Sequence, residues 1–428
     1  MNILNDTAII TIAYDMTRMC AYLDRKFPSG IERVDINYLN GFLLNKQYDV
    51  KGILEIEVNS KINMIKIPDQ LVAKIRDHLY NRWILSITNN ATFLKNAKQL
   101  QNELLSEINK SCKINENGID ENILKIETKN GKTIYFNACF INIADGKQHY
   151  KLIKSAKLTP VYVIHDIIPI EYPEYTYGDQ NRHHLERLIT AFDLKAKIIA
   201  ISEHVKSKII TVANSLGYQN IDIYVNNNGV DNKFINKNKI AFSKSPKKNQ
   251  FIYLSTIEPR KNHALLLNIW RKMIDNINSS TNIPKLVIIG RRGWNSQLIF
   301  DMLDKNASIR EFVIEINNAT DDDIINYIDE SKAMLFPSFD EGWGLPIVES
   351  LALGTPVICS DIPVHHECTQ GNAIFLDPID GLSWLDYIMR ISQDLLKIDT
   401  GNFSPVSWDS SCTKLQNIIR EINHQKYH

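Results

Sequence analysis

The stretch DEGWGLPIVE (340–349) places a carboxylate, a Gly-Trp-Gly turn and a second carboxylate inside an apolar run. Seven residues separate Glu341 from Glu349, and Gly342, Trp343 and Gly344 stand directly behind the first. Glycines let backbone N–H groups come close to a ligand, because no Cβ intervenes. A helix starting near Leu345 or Pro346 would add unpaired amides and the positive end of its dipole, and together these make an anion site. Phosphate is the obvious anion. Glu349, in the first turns, is placed to meet a vicinal diol such as a ribose. Glu341, in the loop before the helix, is placed to meet a polar substrate group. Either carboxylate alone would read as an ordinary loop or first-turn residue. The conjunction fits a nucleotide sugar laid across a helix N-terminus.

A second cluster, EPRKN (258–262), also opens a helix. Arg260 and Lys261 put cations where a helix start favours anions, and an arriving diphosphate supplies the reason for them. His165 closes the apolar run VYVI (161–164). No D-x-D pair follows a strand in the second half, and Asp321, Asp322 and Asp323 read as a helix N-terminus. Neither a metal site nor a cofactor is therefore expected.

The elements that must position these residues alternate. Apolar runs at 7–14, 133–143, 159–166 and 196–202, then at 250–256, 285–290, 312–316, 333–338 and 355–360, read as buried strands. Amphipathic stretches such as 261–277, 321–331, 345–353 and 380–395 lie between them. This alternation predicts an α/β protein with parallel sheets covered by helices on both faces. The lysine- and asparagine-rich segment 233–250 has no periodicity and reads as a linker. Two doubly wound domains follow, 1–235 and 245–405, with a last helix over about 407–424 after a Pro-Val-Ser-Trp-Asp start signal. Residues 61–113 interrupt the alternation and read as one or two long helices, with nine basic and four acidic residues. That insertion is either a solvated face or, given Trp83, Ile84, Leu85 and Phe93, a surface for peripheral contact with an anionic membrane or lipid-linked substrate. In open parallel sheets ligands bind beyond the carboxyl ends of the strands. His165-Asp166, Ser255–Lys261, 290–294 and 341–344 would therefore face one cleft.

The 428 residues exceed one core, which supports two domains. Lys plus Arg equals Asp plus Glu, so no global field favours nucleic acid. The N-terminus has no basic segment before its apolar residues, and no run of 18 apolar residues occurs. The six cysteines form no C-x-x-C pair. A cytoplasmic protein is expected.

STIEPRKNH (255–263) with EGWGLPIVESLALGTPVICSDIP (341–363) resembles glycosyltransferase family 4, the retaining transferases of GT-B fold. The resemblance is dense over about 250–380 and thinner before it. It implies two Rossmann-like domains facing a cleft, with the C-terminal helix (406–428) crossing back to the N-terminal domain. It implies Glu341 beside the transferred sugar, Glu349 on the ribose and Lys261 on the diphosphate. Ser255 stands where the family often has an arginine, so Arg260 or Arg291 is expected to take that phosphate. VIHDIIPIEYPE (163–174) resembles the N-domain segment of polysaccharide-type members, which implies that His165 faces the sugar and acceptor. PSGIERV (28–34) resembles the loop that approaches the donor, with Gly30 allowing close passage. Gly342, Trp343, Gly344 and Leu345 complete the expected donor site. The resemblance implies transfer of a hexose from a nucleotide-diphosphate sugar, GDP-mannose first and a UDP-sugar second, to a glycan or lipid-linked glycan of a bacterial surface polysaccharide. A non-catalytic glycan- or nucleotide-binding protein on the same fold is the alternative. So is a glycan phosphorylase, against which the short chain and the lack of an identifiable pyridoxal lysine count.

Overall fold

The computed structural model describes residues 9–58, 61–113, 133–140, 146–236, 247–276 and 283–425. The first sheet holds β1 (Ile10–Asp15), β2 (Tyr48–Val58), β3 (Lys61–Lys66), β4 (Thr133–Asn137), β5 (Leu158–Ile164), β6 (Lys197–Ala200) and β7 (Ile223–Val225), in the order β3-β2-β1-β4-β5-β6-β7. The second holds β8 (Gln250–Leu254), β9 (Lys285–Ile289), β10 (Val313–Ile316), β11 (Ala333–Phe336), β12 (Val357–Ser360) and β13 (Ile374–Leu376), in the order β10-β9-β8-β11-β12-β13. All neighbouring strands are parallel except β2 and β3. Every residue of β1, β4 and β11 is buried, as helices on both faces of a parallel sheet require. Strand order reverses between β1 and β4 in one sheet and between β8 and β11 in the other. These switch points are where crevices open in doubly wound sheets.

The helix Gly30–Leu44 leaves β1 through a capping box in which Ser29 and Glu32 satisfy each other's amides. The last helix, Trp408–His424, lies along it. Gln416 Nε2 donates to the Gly41 carbonyl at 2.9 Å, and Asn45 Nδ2 donates to Gln416 Oε1 at 2.8 Å. The final helix thus returns to the N-terminal domain. The chain crosses between domains at two adjacent points, where Val230 N donates to the Val406 carbonyl at 2.8 Å.

The insertion differs from the helical expectation. Residues 61–66 form β3, an antiparallel edge strand paired with β2, and helices follow only at Asp69–Trp83 and Asn90–Lys113. The alternating run VKGILEIEV (50–58) carried the signal for this hairpin. Trp83, Ile84 and Phe93, which suggested a membrane surface, are buried, and Trp83 Nε1 donates to the Arg25 carbonyl at 2.8 Å. Only Leu85 is well exposed. The strand expected over 133–143 ends at Asn137, and 141–143 lie outside the described residues. Within the expected linker, Asn232–Asn236 is a short helix and 237–246 lie outside the described residues. No described helix is long and apolar enough to cross a membrane.

Candidate active site

The turn after β8 and the loop after β11 meet at the C-terminal switch point. EPRKN does not itself open a long helix: Pro259–Lys261 is one 3₁₀ turn, and His263–Asn276 starts after it. Asn262 adopts a left-handed φ of 56° and ties this turn down by donating to the carbonyls of Pro337 and Pro378. The turn then aims both cations at Glu341. Lys261 Nζ lies 2.5 Å from Glu341 Oε1, and Arg260 Nη1 lies 2.9 Å from Oε2. Arg260 also donates to the Asp340 carbonyl at 2.6 Å and to Glu258 at 2.8 Å. Burial alone would raise the Glu341 carboxyl, but Arg260 and Lys261 outweigh it and hold the group at about 2. Burial, then Arg260, lowers the Lys261 ammonium. Arg291 is exposed, so Arg260 is the arginine that the fold brings to this cluster.

The helix Leu345–Ala352 begins at Gly344, whose φ of +113° suits glycine, with a proline in its first turn. Trp343 is buried, and its indole N–H finds no acceptor among the described residues. Gly342 serves a use that the sequence did not reveal. A Cβ there would sit 1.9 Å from the His165 carbonyl oxygen. The lack of a side chain lets the two domains touch, and Ser202 Oγ seals the contact by donating to the Gly342 carbonyl at 2.9 Å. His165 is buried, with Nε2 bonded at 2.7 Å to the Ala138 carbonyl. A carbonyl only accepts, so Nε2 carries the proton. Burial lowers the ring's pKa, which leaves a neutral imidazole with a bare Nδ1.

Gly30 is exposed and lies across from Leu345: a Cβ on it would stand 3.5 Å from Leu345 Cδ1. Glu349 is buried one turn further into its helix. Burial pushes its carboxyl up to about 8, against the pull of Arg33, while Asp231 and Asp321 add to the rise. The fold therefore brings Gly30, His165, Arg260, Lys261 and residues 341–349 to one interdomain cleft.

Sequence reasoning missed two cleft residues. Asp340 is buried and held by Lys208 Nζ at 2.8 Å and His204 Nε2 at 3.2 Å, both from the helix Glu203–Ser215 of the N-terminal domain. Arg33 reaches Asp321 of the C-terminal domain, so Asp321 does more than begin a helix. SGIERV offered the only hint of Arg33. On the other side of the cleft, Tyr175 stacks on Phe339 at 5.5 Å, and Trp294 Nε1 donates to the Tyr175 carbonyl at 3.0 Å.

This is the GT-B architecture. Over 97% of this chain and 99% of the other, it superposes on sucrose-phosphate synthase from Thermosynechococcus elongatus with a TM-score of 0.61 at 13% identity. Residues 234–394 match the family model described as Glycosyl transferases group 1. Over 52% of its length the chain is 30% identical to the serotype-specific mannosyltransferase WbdA of Escherichia coli, and the match spans 28% of that relative. It is 27% identical over 54% of its length to the O-antigen chain mannosyltransferase RfbU of Salmonella typhimurium, of which the match spans 60%. The chain has the GT-B architecture, its residues 234–394 match the Glycosyl transferases group 1 model, and it is similar to bacterial surface-polysaccharide mannosyltransferases.

Proposed function

We propose that the protein is a retaining hexosyltransferase that moves a mannosyl group from GDP-mannose, or second a sugar from a UDP-sugar, to a glycan or lipid-linked glycan acceptor. The observation that carries this reading is the Arg260–Lys261–Glu341 cluster at the switch point, just before the N-terminus of a helix whose dipole favours a diphosphate. Without donor, Glu341 holds both cations. An incoming diphosphate competes for them, and Glu341 is released to a sugar hydroxyl. The bond from C1 to the β-phosphate oxygen breaks as the acceptor oxygen attacks C1 on the same face. The acceptor proton passes to the departing phosphate, whose growing charge Lys261, Arg260 and the positive end of the helix dipole stabilise. Because two side-chain cations meet the diphosphate, turnover is proposed to need no metal and no cofactor. His165, across the cleft, contacts the sugar and acceptor side. The mannosyl choice rests on the names of the relatives, and a cytoplasmic site fits the use of a nucleotide sugar.

The test is a donor panel read by thermal shift, followed by nucleotide release with a mannose oligosaccharide acceptor, with and without EDTA. GDP-mannose should raise the melting temperature, and EDTA should leave GDP release unchanged. A panel in which no nucleotide sugar stabilises the protein would overturn the reading, and loss of release restored by magnesium would overturn the metal-free part.

A further inference from the structure

The two helices that begin at the cleft, Gly30–Leu44 from one domain and Leu345–Ala352 from the other, are matched turn by turn. Gly30 faces Leu345, and one turn on in each helix stand Arg33 and Glu349. The Arg33 guanidinium forks between two carboxylates. Nη1 meets Asp231 Oδ2 at 2.7 Å, at the point where the chain crosses between domains, and Nη2 meets Asp321 Oδ1 at 2.5 Å in the C-terminal domain. Lys233 also pairs with Asp321 and donates to the Ile84 carbonyl at 2.9 Å. The short helix that carries Lys233, Asn232–Asn236, packs against Leu345–Ala352. Arg33 and Lys233 thus converge on the half-buried Asp321, close to the buried Glu349.

Resting on the donor-site reading above, we propose that Arg33 is a positioning residue for donor recognition: through its fork onto Asp231 and Asp321 it latches the N-terminal domain beside Glu349 and fits that carboxylate to the ribose. Two cations, Arg33 and Lys233, face three carboxyls, Asp231, Asp321 and Glu349. One carboxyl therefore has no cation of its own, and Glu349, which has no ion-pair partner in the cluster, is that one. Accepting two ribose hydroxyls requires the charged form. Arg33 opposes the burial that neutralises Glu349, so its removal weakens the ribose contact in particular. A planar guanidinium can bridge two carboxylates at once, whereas an ammonium is a point charge.

The experiment compares GDP with 2′,3′-dideoxy-GDP by calorimetry at about pH 9, above the Glu349 value of about 8, in wild type, Arg33→Ala and Arg33→Lys, with a melting curve for each. Wild type should prefer GDP by about tenfold or more, the scale of losing hydrogen bonds to a charged group. Arg33→Ala should bring the preference to within about threefold, mostly by weakening GDP, and Arg33→Lys should fall between. Arg33 as a mere interdomain tie would lower the melting temperature and leave the preference intact. That result, or a wild-type preference kept in both variants, overturns the proposal. Wild type binding neither nucleotide overturns the donor site itself, and wild type binding both equally removes Glu349 from the ribose.

Discussion

Lys261 and Glu341 illustrate how one ion pair can serve two states. Side by side at 2.5 Å they neutralise each other, and the proposed diphosphate would compete with Glu341 for the lysine. Lys261→Ala should therefore weaken donor binding by about tenfold or more and slow turnover with it. Glu341→Ala should leave GDP affinity nearly unchanged, because it frees both cations, and should abolish transfer. Equal loss of GDP affinity in the two variants would show that Glu341 serves only to hold the turn together. Glu349 gives a pH test. Its folded carboxyl sits at about 8, above the ordinary carboxylate value, so the folded state favours the proton. The stabilisation linked to that proton is present at low pH and is lost as pH rises toward 8. Glu349→Gln, which cannot ionise, should melt above wild type near pH 8, by roughly 1–3 kcal/mol of stability, and the gap should close toward pH 5. A gap independent of pH would mean that Glu349 does not titrate there. At this scale the sequence displayed the residues that cluster in two short stretches of glycines, carboxylates and cations, although the Lys261–Glu341 pair itself spans 80 residues. Arg33 and Asp340 stayed hidden because their partners, Asp321 and the Lys208–His204 pair, are brought to them only by tertiary folding.

Among elements, the buried parallel strands were the most legible, because a strand covered on both faces is an unbroken apolar run. β3 was not, since six residues mixing Ile62, Met64 and Ile65 with polar ones fit a helix turn as readily as a short edge strand. The final helix was legible from its start signal, but its docking surface was not. Gly41 reveals that surface: a Cβ there would lie 3.0 Å from Cys412 Sγ and 3.1 Å from its Cβ. Gly41→Leu should wedge the helix Trp408–His424 from Gly30–Leu44 and cost about 1–3 kcal/mol by overpacking. Cys412→Ala in the same background should recover part of that loss, which a denaturant melt of the four variants would read. Absence of any recovery would place the strain elsewhere.

The proposed transfer needs the two domains to meet, and at their meeting Gly342 packs directly against the His165 backbone. The approach leaves no room: an added Cβ would sit 1.9 Å from a carbonyl oxygen, so one side must move. The contact joins two backbones, and no rotamer change can relieve it. Around it, Lys208 and His204 hold Asp340, and the amides of Glu203 and His204 donate to Glu367 at 2.9 and 3.2 Å. These polar ties are individually worth little where solvent reaches them. A single methyl at Gly342 should therefore prise the cleft open while each domain stays folded. The proposed diphosphate contacts, Arg260, Lys261 and the start of the helix at Leu345, belong to the C-terminal domain. Gly342→Ala should therefore keep GDP affinity within about threefold of wild type yet cut turnover by about a hundredfold or more, the scale expected when closing elements are misplaced. Small-angle scattering should show a larger radius of gyration than in wild type. His165→Ala supplies the contrast: it removes an imidazole but leaves the backbone contact, so turnover should fall without a change in radius. If Gly342→Ala matches wild type in both radius and rate, the domains do not need this contact to react, and the cleft described above is not the geometry in which the sugar is transferred.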